Sequence, residues 1–291
     1  MSQIHYLKIA KPVDFAVLEK EIKSRLGHVE AEQRESNLFY FWIPEKSARG
    51  VDFTFERADW IEIRNTVCSN AADYLLTNHL AEAFCELFDG QLYKDNEDFD
   101  EDCDDPEDEF LPESLPVFEQ KKAEEQMKTD ANLFRILIQN RQSPITIYGP
   151  VRTVHFGKDL MEYWRDLNHE ELGQEMENVI LNVNYGLPDF EYGNIMQMGD
   201  GEDQKILKLL TNNTCLIDKY DYLMLKRTEN SENIEDFIVI TNDDLNQILP
   251  ESWKRVDEYH IVAPELPEDE FRNLIQNAEL YNRFDEVFKK K

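Results

Sequence analysis

The first third of the chain shows the two hydrophobic periods that distinguish helices from strands. Apolar residues recur every three or four positions after Asp14, and Gly27 follows this stretch. A second stretch of the same kind opens at Ser69 or Asn70 and stops at Gly90. Both patterns predict amphipathic helices, each with a capping residue at its start and a glycine at its end.

Between and around these helices the pattern shortens to strand-like runs. Residues 51–56 alternate apolar and polar side chains, as a half-buried strand does. Strands are predicted at 4–9, 38–43, 51–56, 60–64 and 91–93. The resulting order, β-α-β-β-β-α-β, favours a ferredoxin-like-style unit as a small α+β domain over residues 1–94.

The remainder of the chain mixes both periods again. Helices are predicted at 119–140, 159–167, 170–183 and 245–249, and strands at 145–148, 152–156, 221–225 and 237–240. Thr241 and Asp244 fit a capping arrangement ahead of the fourth of these helices. Pro267 and the acidic residues after it predict a long final amphipathic helix whose inner face extends to Phe288. We therefore predict an α+β fold, with a larger mixed α+β domain over residues 117–291.

Residues 95–116 interrupt the hydrophobic pattern. Residues 95–115 contain 12 Asp and Glu and no Lys or Arg, and Pro106, Pro112 and Pro116 punctuate the stretch. A segment of one charge sign with few apolar residues repels itself and has little to bury. The pattern indicates an acidic mobile linker, and it is the predicted domain boundary.

The acidity extends beyond this segment. The 291 residues include 31 Lys and Arg against 61 Asp and Glu, a net charge of −30. Residues 1–94 carry a net −4, residues 95–115 a net −12 and residues 116–291 a net −14. Such a field repels nucleic acid and anionic membranes and attracts basic proteins. We therefore expect no direct nucleic-acid binding and no membrane binding.

The cysteines and the apolar runs bear on the compartment. Cys68, Cys85, Cys103 and Cys215 form no C-x-x-C pair. The longest apolar runs fall far short of the roughly 20 residues of a membrane span, and the first residues lack a secretory pattern. Reduced thiols in a cytoplasmic protein are the expectation.

Two partial motifs were weighed as ligand sites. Asp98, Asp100, Asp102 and Glu109 fall at positions 1, 3, 5 and 12 of a calcium-binding loop, but Cys103 stands where the loop requires glycine. Gly157 and Lys158 precede a predicted helix as in a phosphate loop, but Arg152 and Asp159 replace its glycine and its hydroxyl residue. We expect no metal site and no cofactor.

The sequence contains no recognisable catalytic motif. The grouping of His155 with Arg152 and Tyr148 beside a Gly-Pro turn is the most site-like, although an ordinary hairpin explains it better. No G-x-S-x-G occurs, and no Cys stands in an activating context. Carboxylates dispersed in sequence and brought together by the fold remain an alternative, which would make the protein a hydrolase.

The segment 184–194 is the candidate binding loop. It alternates aromatic and acidic residues between Gly and Pro positions, which suits an interface with a basic protein. The predicted partner-binding residues are Tyr185, Asp189, Phe190, Glu191 and Tyr192. The alternative is a loop that packs its own aromatic rings onto the core.

Together these patterns favour a non-enzymatic acidic interaction protein that binds a basic partner protein. Two versions fit: a bacterial immunity or inhibitor protein that blocks a toxin, and a nucleic-acid mimic that occupies a nucleic-acid-binding protein. A cavity lined by two close carboxylates with separated pKa values would favour the hydrolase instead.

Overall fold

The computed structural model shows a mixed α+β protein made of two compact units, Met1–Gly186 and Leu187–Lys291. The residues described are 3–57, 59–95, 110–115, 117–141, 143–188, 195–199, 204–228 and 233–288. The predicted α+β class is therefore confirmed. The boundary between the compact units lies at Gly186, whereas the sequence analysis placed it at 95–116.

A seven-stranded sheet forms the first half of the first unit. Its strands are β1 (Gln3–Lys8), β2 (Glu30–Gln33), β3 (Leu38–Trp42), β4 (Val51–Arg57), β5 (Trp60–Asn65), β6 (Gln91–Asp95) and β7 (Phe110–Pro112). The spatial order is β2-β3-β4-β5-β1-β6-β7, and every neighbouring pair is antiparallel. The five strands predicted in this region are all present, and the short strands β2 and β7 are additional.

Two helices cover one face of this sheet. Helix α1 (Phe15–Leu26) begins at Asp14, whose carboxylate accepts hydrogen bonds from two backbone N–H groups of the first turn. Helix α2 (Ala71–Phe88) begins with a capping box between Asn70 and Asp73. The core between sheet and helices is apolar and aromatic, and it includes Leu7, Leu18, Phe41, Phe53, Ile61, Leu80, Phe84 and Leu92.

The remaining elements of the first unit are α3 (Gln120–Gln139), β8 (Ile145–Tyr148), β9 (Thr153–Phe156), α4 (Lys158–Tyr163) and α5 (His169–Leu181). They form polar contacts with the segment between β5 and α2. Asp130 Oδ2 accepts a hydrogen bond from Cys68 N at 2.8 Å, and Asn70 Nδ2 donates to Glu177 Oε1 at 2.8 Å. These contacts explain why residues 117–186 belong to the first compact unit.

The acidic segment has a different place in the chain from the one predicted. It follows β6 and precedes β7, and these two strands are paired, with Asp95 opposite Phe110. Residues 96–109 therefore connect neighbouring strands of one sheet and do not join two domains. Their predicted mobility concerns residues outside those that the structure describes.

The second unit contains two small sheets. Strands β10 (Ile195–Met198), β11 (Lys205–Leu210), β13 (Tyr222–Lys226) and β14 (Phe237–Ile240) form one sheet in that order, with β11 and β13 parallel. Strands β12 (Cys215–Ile217), β16 (Ile261–Ala263) and β15 (Lys254–Arg255) form the other. The helices of this unit are α6 (Asn242–Gln247), α7 (Glu268–Ala278) and α8 (Phe284–Phe288). The predicted cap of α6 by Thr241 and Asp244 is confirmed.

The final helix is shorter than predicted, because a 3-10 turn at Glu279–Tyr281 follows α7 and the chain becomes extended at Asn282. Asn282 Oδ1 accepts hydrogen bonds from Val239 N at 3.0 Å and from Phe284 N at 3.1 Å. These bonds fix an extended residue between α7 and α8. Leu274 packs into one apolar cluster and Phe284 into another. The prediction of a single long amphipathic helix is therefore wrong.

Candidate partner-binding surface

Four aromatic side chains meet on the face of the seven-stranded sheet that is turned away from the core. Tyr6, Trp60, Tyr93 and Phe110 form this aromatic cluster, and all four are half-buried. Ring centroids are 4.7 Å apart for Tyr6 and Phe110, 4.9 Å for Trp60 and Phe110, and 5.1 Å for Trp60 and Tyr93. These separations are typical of favourable aromatic pairs.

The period-two pattern of the strands places the cluster on that face. Leu7, Ile61 and Leu92 point into the core and are fully or almost fully buried. Their neighbours in sequence, which include Tyr6, Trp60 and Tyr93, therefore point to the opposite face. Tyr6 lies directly opposite Tyr93 in the sheet register, so the pairing of β1 with β6 brings the rings together.

The acidic connection, residues 96–109, starts and ends beside this cluster. It contains 10 Asp and Glu and no Lys or Arg. It follows Asp95 and precedes Phe110, which are paired residues. Because Phe110 is itself part of the aromatic cluster, one anchor of the acidic connection is an aromatic ring of that cluster.

The same face already holds cations against aromatic rings. Lys8 Nζ lies 5.7 Å from the centroid of Trp60, and the Arg34 guanidinium carbon lies 3.5 Å from that of Tyr40. Each such contact contributes about 0.5–1 kcal/mol where it is exposed to water. The face is therefore chemically suited to lysine and arginine side chains.

Of the five predicted partner-binding residues, the structure describes Tyr185. Its ring is half-buried, and its hydroxyl donates a hydrogen bond to Ser47 O at 2.9 Å. Burial raises the pKa of this phenol. Tyr185 thus packs against the segment between β3 and β4. Asp189, Phe190, Glu191 and Tyr192 lie outside the described residues, so their role in binding stays a prediction.

The residues of the other sequence motifs have structural roles or lie outside the description. The hairpin of β8 and β9 forms as predicted, and His155 Nδ1 lies 2.9 Å from Thr146 Oγ1 across it. Arg152 donates to the carbonyls of Val183 and Asn184, whereas Tyr148 is exposed. The candidate calcium ligands at positions 98, 100, 102 and 109 lie outside the described residues.

A buried carboxylate that the sequence does not reveal joins the first sheet to α2. Asp73 is fully buried and accepts hydrogen bonds from the backbone N–H groups of Arg49, Gly50 and Asn70 at 2.9–3.0 Å. Burial raises its pKa to about 6, although these hydrogen bonds oppose the rise. The arrangement fixes the 43–50 loop and is structural.

The second unit holds a histidine between two carboxylates. His260 Nδ1 lies 2.9 Å from Asp257 Oδ2, and Nε2 lies 3.5 Å from Asp218 Oδ1. An oriented histidine of this kind is chemically capable of acid–base work. However, His260 and Asp257 are almost completely buried, and Asp257 also accepts two backbone N–H groups of its own turn. A turn-stabilising role accounts for these contacts.

Three cavities of the described residues bear on the hydrolase alternative. One of about 820 Å³ lies in the first unit beside His5. Two others, of about 520 and 790 Å³, lie in the second unit beside Phe271 and Leu249. The carboxylates with shifted pKa values, Asp52, Asp73 and Asp244, line none of these three cavities. These cavities therefore do not provide the carboxylate pair that the hydrolase alternative requires.

Comparison with protein-family models, with curated proteins and with solved structures finds no match for this chain. Within the residues described, no helix combines the length and the apolar composition needed to cross a membrane. Cys68, Cys85 and Cys215 are free thiols, and Cys103 lies outside the described residues.

Proposed function

We propose that this protein is a non-enzymatic interaction protein that binds a basic partner protein in the cytoplasm. The observation that carries the proposal is the acidic connection anchored beside the aromatic cluster. The connection contains 10 Asp and Glu, it follows Asp95 and precedes Phe110, which are paired residues, and Phe110 belongs to the aromatic cluster. The proposal moves the main contact from the 184–194 loop to this face of the first sheet. We also propose a ferredoxin-like description of that sheet. Strands β5 and β6, which α2 connects, lie on either side of β1, as in a split β-α-β unit.

The two parts of this surface have different physical roles. The acidic connection attracts a basic partner over a distance of about 10 Å at 0.1 M salt, and this attraction mainly accelerates association. The aromatic cluster gives rigid apolar area and ring faces for arginine or lysine, and such contacts mainly slow dissociation. A basic cleft that normally accepts an anion satisfies both requirements. The partner is accordingly a toxin or another nucleic-acid-binding protein whose cleft is occluded.

The first test separates charge from contact. The partner is captured from the native host and identified, and its binding kinetics are measured at about 50 mM and about 300 mM NaCl. In one variant, Asp104, Asp105 and Glu107 are replaced by their amides. The control replaces the exposed acids Glu268, Asp269 and Glu270 of α7 in the same way. We expect the first variant to slow association about threefold or more and the control to have a smaller effect.

The second test concerns the aromatic cluster. Trp60→Ala should accelerate dissociation about tenfold, because a buried aromatic anchor is typical of binding hot spots. Tyr163→Ala is the matched control, since Tyr163 is an exposed aromatic residue of α4. Equal affinity at both salt concentrations, together with normal binding by Trp60→Ala, would refute the proposed function.

The hydrolase remains a second candidate because of His260 and its two carboxylates. If it is correct, His260→Gln should abolish a hydrolytic activity while the near-ultraviolet circular dichroism stays unchanged. If His260 has only a structural role, His260→Gln should lower the free energy of unfolding and remove no activity. This pair of measurements distinguishes the two roles.

A further inference from the structure

A cavity of about 520 Å³ lies at the carboxyl ends of the two parallel strands of the second unit. Strand β11 ends at Leu210 and strand β13 at Lys226, and both residues line the cavity. Residues 211–213, residues 227–228 and one face of α7 complete the lining. Ligand sites of open α/β sheets commonly lie outside the carboxyl ends of parallel strands. The volume also falls in the range of about 300–1,000 Å³ that is common for small-molecule sites.

Hydrogen bonds fix two walls of this cavity. On the β11 side, Asn212 Nδ2 donates to Leu266 O at 2.8 Å, and Leu266 N donates to Asn212 Oδ1 at 2.9 Å, just before α7 begins. On the β13 side, Arg227 Nε donates to Glu279 Oε1 at 2.5 Å, and the NH1 group of Arg227 donates to Glu235 O at 2.7 Å. Because these walls are already fixed, a ligand that enters the cavity has little ordering of the protein to oppose its binding.

The lining of this cavity is basic in a chain that is strongly acidic. The chain has 61 Asp and Glu against 31 Lys and Arg, whereas the lining has three cationic side chains and one carboxylate, namely Lys226, Arg227, Arg272 and Glu268. Glu279 neutralises Arg227. In the part of the chain that the structure describes, no carboxylate forms an ion pair with Lys226 or Arg272, and no cation forms one with Glu268. The cavity therefore keeps an excess of one positive charge. We refer to it as the Arg272 cavity.

The side chains of the lining differ in how they can act on a ligand. Arg272 is exposed and lines the cavity, so its guanidinium is available for direct contact. Lys226 Nζ lies 6.0 Å from the centroid of Phe237, and its charge acts on the cavity through the electrostatic field. Phe271 and Ile275 of α7 are half-buried and give the lining an apolar side. A complementary ligand therefore combines a negative charge with an apolar part.

We propose that the Arg272 cavity binds a small organic acid whose single carboxylate pairs with Arg272 and whose apolar part packs on Phe271 and Ile275. A carboxylate matches the planar guanidinium, which donates two parallel hydrogen bonds to it. One negative charge also balances the excess of one positive charge. A phosphate monoester carries about −1.5 to −2 near neutral pH, and Glu268 opposes that larger charge. The site belongs to the second unit, whereas the proposed partner-binding surface belongs to the first.

Benzoate is a suitable probe, because it combines one carboxylate with an aromatic ring. Proton–nitrogen spectra of the full chain would follow the Arg272 Nε–H group at a constant ionic strength of about 0.1 M. We expect a saturable shift with a Kd of about 1 mM or lower. Acetate lacks the ring and benzyl alcohol lacks the charge, so each should bind at least about tenfold more weakly. An Arg272 signal that does not saturate with benzoate up to about 20 mM, or that responds equally to acetate, would overturn the proposal.

Two variants with opposite expected effects make the test specific, and the backbone amide of Phe271 reports binding in both. Arg272→Gln removes the guanidinium and should weaken benzoate binding about tenfold or more. Glu268→Gln removes the opposing carboxylate and should strengthen binding about twofold. Arg165→Gln, which changes an exposed arginine of the first unit, is the matched control and should bind benzoate normally. Circular dichroism would confirm that the variants are folded, and if Arg272→Gln does not fold, the Glu268→Gln result decides. Normal binding by folded Arg272→Gln, or unchanged or weaker binding by Glu268→Gln, would also overturn the proposal.

Discussion

The bidentate ion pair between Arg283 and Asp244 makes a quantitative prediction for the second unit. Arg283 Nε lies 2.7 Å from Asp244 Oδ2, and the guanidinium NH2 group lies 2.9 Å from Oδ1. The same carboxylate accepts hydrogen bonds from Thr241 N and Thr241 Oγ1 at the start of α6. Arg283→Met removes the guanidinium and retains most of the apolar stem. The substitution therefore tests the ion pair that connects α6 to the segment before α8.

The magnitude follows from the pKa of Asp244. The hydrogen bond from Arg283 is the main cause that lowers this pKa to about 2, against about 3.9 in an unfolded chain. A shift of about two units corresponds to about 2.6 kcal/mol. Arg283 is 39% exposed, and solvent screening reduces this value. We expect Arg283→Met to lower the free energy of unfolding by about 1.5–2 kcal/mol near neutral pH.

The pH dependence has a defined sign. Because the pKa of Asp244 is lower in the folded protein, its stabilising contribution is complete above about pH 4 and is lost as the pH falls toward 2. The free energy of unfolding in urea should change less between pH 7 and pH 3 in Arg283→Met than in the unmodified chain. Carboxyl-carbon NMR should show the Asp244 midpoint rising in the variant. Arg272→Met, which changes an exposed arginine of α7, is the matched control. Unfolding curves and Asp244 midpoints identical to those of the unmodified chain would refute this reasoning.

Three further predictions concern other parts of the chain. Asp73 should titrate near pH 6 by carboxyl-carbon NMR. Because its pKa is raised in the folded state, its contribution to the free energy of unfolding is complete below about pH 4 and is lost as the pH rises to 6. This contribution is at most about 3 kcal/mol. Gly50→Ala should destabilise the protein by more than about 2 kcal/mol in urea, because Gly50 has a φ of +67° and a Cβ there would collide with the Tyr40 hydroxyl. Gly27→Ala is its control and should cost only about 1 kcal/mol, since its φ of +80° is also strained but the space around it is open. Thiol titration of the unfolded, unreduced chain should count four free cysteines, and a count of two or none would contradict a reducing compartment.

The sequence predicted those elements of the fold whose signals are local. Asp14 and Asn70 mark their helices because a side-chain oxygen caps the nearby backbone N–H groups. The strands of the first ninety residues with clear alternation or apolar runs were also predicted, because these patterns are local signals too. Strand β7 was missed, because three residues after a long acidic stretch contain no usable period. Its absence led to the incorrect interpretation of the acidic segment as an interdomain linker.

The candidate sites were harder to predict because they depend on residues distant in sequence. The aromatic cluster combines side chains from β5, β1, β6 and β7, and its contact between Trp60 and Phe110 joins residues 50 positions apart in the chain. The Arg272 cavity joins the carboxyl ends of β11 and β13 to α7, and no local pattern reports that combination. The turn at Asn282 was missed for a similar reason, since its hydrogen bond to Val239 joins residues more than 40 positions apart. Such contacts are set by packing, and hydrophobic periodicity does not report them.

The position of the acidic connection also affects how freely its length can change. Two paired strands close a loop with the segment that joins them, and the entropic cost of loop closure rises by only about 0.6 kcal/mol for each doubling of the number of residues. Insertion or loss of several acidic residues between Asp95 and Phe110 should therefore alter stability very little while changing the local charge by one unit per residue. The strength of electrostatic attraction can thus be adjusted almost independently of the fold that supports it.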